Sequence, residues 1–64
     1  MDHYKIITEL KNTNNFIVLT VKTDDGYDHK SGYVYGINPE YITLSDDGEL
    51  SNAKYDDILY YKIT

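Results

Sequence analysis

Two histidines and eleven acidic side chains are the groups in this chain that could do chemistry, and there is no cysteine. His3 and His29 each follow an aspartate, Asp2 and Asp28. A His–Asp pair can hold a metal ion when further ligands recur nearby. No second ligand follows at helical or hairpin spacing, so both histidines read as surface residues and no metal site is expected. Asp24-Asp25-Gly26 and Asp46-Asp47-Gly48 bring carboxylates together beside glycine. A calcium loop needs oxygen ligands at alternate positions and a distal glutamate. Asp46-Asp47-Gly48-Glu49 is too short for that, and both stretches read as plain turns. Carboxylates acting as acid and base need burial to shift their pKa, whereas turn residues are solvated. Ser31, Ser45 and Ser51 have no base nearby in sequence to activate them, and no glycine-rich phosphate loop is present. The expectation is a protein that is not an enzyme and takes no cofactor.

The elements that must position these residues follow from patterning. Sixty-four residues make one domain over 1–64. A chain of this size buries about 60% of its unfolded surface, so its core is small, and without cysteine no disulfide can staple it. The organising stretch runs from Lys30 to Leu44. Gly32 permits a bend or a close backbone approach and Gly36 a second bend. Asn38-Pro39-Glu40 supplies a turn, and Tyr41 to Ser45 alternates with period two, with Ile42 and Leu44 on one face. Before it, Phe16 to Thr23 is nearly all β-former, and Asp-Gly then marks a hairpin. After it come a second Asp-Gly turn and residues 49–54, a short strand or a loop. Tyr55-Asp56-Asp57 reads as a single helical turn, and Ile58 to Ile63 as the last strand.

Residues 2–11 fit two readings. Tyr4, Ile7 and Leu10, with Ile6 and Leu10 four apart, argue an amphipathic helix capped by Asp2. Tyr4, Ile6, Thr8 and Leu10 alternate as in a strand. The helix is favoured, although the β-branched Ile6, Ile7 and Thr8 weigh against it. The predicted core is Ile17, Leu19, Val21, Val34, Ile37, Ile42, Leu44 and Ile58, with Ile7 and Leu10 packed across one end. Short strands at near-regular spacing, with turn signals between them, indicate an all-β barrel or small sandwich.

The order of these elements resembles the Sm-like small β-barrels. The residues carrying the resemblance are Val21-Lys22-Thr23-Asp24-Asp25-Gly26, then Gly32, Val34, Ile37 and Asn38, then Tyr41-Ile42-Thr43-Leu44, then Asp57-Ile58. The spacing from Gly32 to Leu44 is nearer to the Hfq-type member than to spliceosomal Sm proteins, and other SH3-like barrels, YolD-like domains included, share much of the pattern. The resemblance covers nearly the whole chain and implies a mainly β fold: a five-stranded, strongly bent barrel with a short N-terminal helix. It also implies ring-forming edge strands and an RNA site. Here the loop position expected to be aromatic falls on Glu40, beside Tyr41. The Tyr-Lys-His motif falls on Lys54-Tyr55-Asp56, followed by Asp57, and the spliceosomal Arg-Gly signature is replaced by Ile58-Leu59-Tyr60-Tyr61. Acidic side chains there would repel phosphate, so the usual uridine site looks lost.

Charge points the same way. The net charge is −5, and all six basic residues are lysine. Binding nucleic acid depends on cations that neutralise phosphates, so it is disfavoured without being excluded. No apolar run approaches a membrane span, and the N-terminus lacks the basic and long apolar regions of a signal peptide. A cytoplasmic protein is the expectation. Small acidic one-domain chains are also common products of phages and mobile elements, which is association only.

Eight tyrosines fit both β-propensity and a contact surface. The candidate contact residues are Tyr33, Tyr35, Tyr41, Tyr55, Tyr60 and Tyr61. If the turns meet at one end of the barrel, Asp24, Asp25, Asp46, Asp47, Asp56 and Asp57 form an acidic rim that could engage a basic protein. The expected function is a binding module that works through contacts with a protein partner or with itself. The alternative is an Sm-like oligomeric RNA binder using Tyr41 and Lys54.

Overall fold

The computed structural model describes residues 3–11 and 13–64. Helix α1 spans His3–Leu10. Strands β1 (Ile17–Thr23), β2 (Gly26–Ile37), β3 (Tyr41–Asp46) and β4 (Glu49–Lys54) follow. A 3₁₀ turn over Tyr55–Asp57 leads into β5 (Ile58–Ile63). The strands form one antiparallel sheet in the order β4-β3-β2-β1-β5. The mainly β reading and the short N-terminal helix both hold. The sheet is not a closed barrel: among the described residues no ladder joins β4 to β5. The chain crosses that gap through the 3₁₀ turn, whose first residue donates its backbone N–H to Glu40 O at 3.2 Å.

β2 serves both halves of the sheet. Its first half pairs with β1, Gly26 to Gly32 against Thr23 to Ile17, and its second half pairs with β3 from Tyr33 onward. Gly32 is the changeover point. Its φ is +150°, and a Cβ there would stand 2.6 Å from Ser45 O, so only glycine fits the close approach. Between Val34 and Gly36 the register slips by a bulge, which supplies the second bend expected near Gly36.

The turns follow their chemistry. Asp47 and Gly48 both have positive φ, 53° and 85°, which is the geometry a two-residue hairpin turn needs. Asn38 Oδ1 accepts from the backbone N–H of Glu40 at 2.8 Å and of Tyr41 at 2.9 Å, closing the β2–β3 turn with a side chain.

The core joins both halves to the helix: Ile6, Leu10, Ile17, Leu19, Val21, Ile42, Leu44, Ala53, Tyr55 and Ile58. Ile7, Val34 and Ile37 pack against it from half-buried positions. The stripe that α1 buries is therefore Ile6 with Leu10, four apart, while Tyr4 lies off it at 78% exposure. Asp2, the expected cap, lies outside the described residues. Residues 49–54 are a strand because each pairs with β3, Ala53 facing Ile42 and Ser51 facing Leu44.

Candidate functional site

Alternation assigns the tyrosines to faces. Ile42 and Leu44 point into the core, so Tyr41, Thr43 and Ser45 point outward. Their partners share that outer face, with Tyr33 and Leu50 flanking Ser45, Asn52 beside Thr43, and Lys54 beside Tyr41. Tyr35, carried out at the bulge, lines with Tyr41 and Leu50 a groove of about 420 Å³. Tyr33, Tyr35 and Leu50 are 54%, 68% and 55% exposed. Tyr33 is steadied by Phe16, edge-on at a centroid distance of 5.4 Å, and Thr43 Oγ1 donates to Asn52 Oδ1 at 2.7 Å. Three of the predicted contact residues, Tyr33, Tyr35 and Tyr41, thus come together on one face.

The other three do not join them. Tyr55 is 1% exposed and belongs to the core, which corrects its assignment to a contact surface. The 3₁₀ turn faces α1, and its first side chain fills the space between helix and sheet, with the His3 ring 5.6 Å away. Its hydroxyl has no hydrogen-bond partner among the described residues, and burial raises its pKa. Tyr61 faces inward opposite Leu19 and packs against the core. It donates to Glu9 on α1. Burial, then the hydrogen bond and the charge of Glu9, push its hydroxyl up to about 12. Tyr60 is exposed, but it pairs with Thr20 on the outside of the other half of the sheet. There it shares a cross-strand row with His29, whose Nδ1 lies 3.1 Å from Thr20 Oγ1. Tyr27 packs edge-on against the same histidine.

The six aspartates do not form one rim. The Asp24-Asp25 turn follows Thr23, opposite Gly26, whereas Asp46 and Asp47 follow Ser45, opposite Tyr33. The strand between Gly26 and Tyr33 separates the two turns by roughly 20 Å, at about 3.3 Å per residue. Asp56 is exposed and pairs with His3 Nε2 at 2.7 Å. Asp57 is half-buried and lines a different cleft. The acidic groups that adjoin the tyrosine face are Asp46, Asp47 and Glu49 at the β3–β4 turn, and Glu40 beside Tyr41 at the other end.

Leu50 and Asn52 belong to this face and were not anticipated. Their signal was the same two-residue alternation, weakened because β4 has Glu49, Ser51 and Asn52 where a strand usually carries β-formers. No helix among the described residues is long and apolar enough to cross a membrane. Comparison with protein-family models, with curated proteins and with solved structures yields no match.

Proposed function

We propose that the chain is a non-enzymatic binding module whose outer β2–β3–β4 face docks a basic segment of a protein partner. The observation that carries this reading is the grouping of exposed Tyr35 and Leu50 with Tyr41 around one groove, with exposed Tyr33 on the same outer face and carboxylates in the turns at both ends of β3. Tyrosine offers large contact area at little entropic cost and is enriched where interfaces concentrate their binding energy. Its ring also attracts a lysine or arginine cation. The flanking Asp46, Asp47, Glu49 and Glu40 add complementary charge, which speeds encounter and selects against acidic partners. The Sm-like and SH3-like resemblance of the sequence speaks to fold and not to partner.

The test is capture of basic proteins by the wild type and by the Tyr33→Ser/Tyr35→Ser variant, with native mass measured in parallel. Both side chains are exposed, so the variant is expected to fold and to lose the captured proteins. An unchanged partner set together with an unchanged native mass overturns the assignment of this face.

A second reading rests on one observation: Tyr41 and Lys54 are direct cross-strand partners. A stacking ring beside an ammonium suits single-stranded RNA. This reading expects a ring assembly by light scattering and binding to uridine- or adenine-rich RNA that weakens steeply with salt. Absence of RNA binding at low salt removes it.

A further inference from the structure

An open sheet has two edges, and here they differ. β4 forms one edge and β5 the other. The β4 edge is blunted: Lys30 Nζ donates to the backbone carbonyl of Asn52, so a group that an incoming strand would need is taken. Among the described residues, the ladder with β1 is the only one that β5 makes. The phase of its backbone follows from one bond, in which the Thr64 N–H donates to Phe16 O at 3.0 Å. Bonded and non-bonded pairs alternate along an antiparallel ladder. Lys62 and Tyr60 therefore turn their backbone groups toward β1, and Ile63 and Tyr61 turn theirs to the free edge. The side chains beside that edge are large, apolar and open, since Leu59, Tyr60 and Ile63 are all exposed. Lys62 is the one charged residue of the strand.

We propose that β5 pairs antiparallel with β5 of a second copy of this chain, about a two-fold axis at Tyr61. Tyr61 then meets itself, and the two copies exchange both N–H···O bonds there, which is the phase that the free edge presents. Tyr60 comes opposite Lys62 of the second copy on the outer face. That is a non-bonded pair, in which side chains stand closest. An ammonium against a tyrosine ring is attractive, and symmetry makes the contact twice. Leu59 comes opposite Ile63 of the second copy, so exposed apolar side chains cover each other on either side of the axis. The edge is thus self-complementary in hydrogen bonds, charge and apolar surface. Such a pairing closes at two copies. It differs from the ring that the sequence resemblance implies, which joins two different edges. β5 is the edge opposite β4, so the tyrosine groove stays open in both copies, and the dimer stands or falls independently of a partner docked there.

The experiment is native mass by light scattering over a dilution series, with amide exchange followed by NMR. Salt is present to screen the charge of −5 on each copy. The expected mass rises with concentration to twice that of the chain and no further. Over the same range the Tyr61 and Ile63 amides should become protected, and the β4 amides should not. Tyr60→Lys sets like charges face to face twice and should weaken the dimer about 30-fold. Tyr60 is exposed, so the variant should keep the amide spectrum of a folded protein. Tyr60→Lys/Lys62→Glu sets opposite charges in the same two places and should restore the dimer. A chain that is monomeric at every concentration, an assembly larger than two, protection on β4 instead of β5, or a double variant no tighter than Tyr60→Lys would each overturn the pairing.

Discussion

Tyr55 and Tyr61 lie six residues apart in one short stretch, and what separates them from the exposed tyrosines is what they meet. Tyr55 fills the join between helix and sheet at the expense of a hydroxyl with no partner among the described residues. Replacing it by Phe keeps the ring and removes that group, so Tyr55→Phe should raise unfolding stability by about 1 kcal/mol. Tyr55→Ala should cost about 3–5 kcal/mol through the cavity it leaves. Urea midpoints compare the two. Tyr61 ties β5 to Glu9 on α1, and its raised pKa has a direction in pH. The neutral phenol is favoured in the folded chain, so the stabilisation is complete below the unfolded value near 10 and is lost as pH rises to about 12. Stability measured across that window should fall, and more gently in Tyr61→Phe. The residual slope belongs to Tyr55, whose pKa burial also raises.

At the level of elements, β2 is decisive, because a single strand can pair with β1 and then with β3 only if it turns sharply between them. Gly32 makes that turn in contact with Ser45 backbone, whereas a Cβ on Gly36 would meet nothing within 4 Å. Gly32→Ala should therefore destabilise by about 3 kcal/mol, combining backbone strain with an overpacked contact. Gly36→Ala should stay within about 0.5 kcal/mol of wild type. Thermal or urea unfolding of the pair tests this, and equal effects would mean that the bend does not depend on the Ser45 approach. The bend also brings Lys30 against the carbonyl edge of β4, a use of lysine that blunts an edge strand against pairing with another chain.

Across the whole molecule, the bent sheet turns one population of tyrosines and one population of carboxylates into several distinct surfaces. The tyrosine groove lies outside one half and the Tyr60–Thr20–His29 row outside the other. The two Asp-Gly turns therefore have different neighbours. Neutralising Asp46→Asn/Asp47→Asn should weaken capture of a basic partner and reduce its salt dependence, because that turn adjoins Leu50 and Tyr33. Asp24→Asn/Asp25→Asn, with the same change in net charge, should leave capture nearly unchanged. Equal losses from both pairs would mean that net charge, and not the face, governs binding.

Much of this fold is legible in local sequence, because turn chemistry and two-residue alternation are local properties. Asp47-Gly48, Asn38-Pro39-Glu40 and the Ile42–Leu44 face announce themselves within a few residues. So do Gly32 as a point of close approach and a helical turn at Tyr55–Asp57. Alternation also implies Tyr33 and Tyr41 on outer faces. What tertiary structure alone decided is which faces meet. Tyr55 is buried because α1 closes over the 3₁₀ turn, a contact across most of the chain that no local pattern encodes. Ile6, rather than Tyr4, faces the core for the same reason. The acidic turns part because strand register, a long-range property, sets them along β2 by the length of a half-strand. β4 and β5 stand at opposite edges of the sheet for the same reason: long-range pairing, β4 with β3 and β5 with β1, sets strand order, although only a 3₁₀ turn separates the two in the chain.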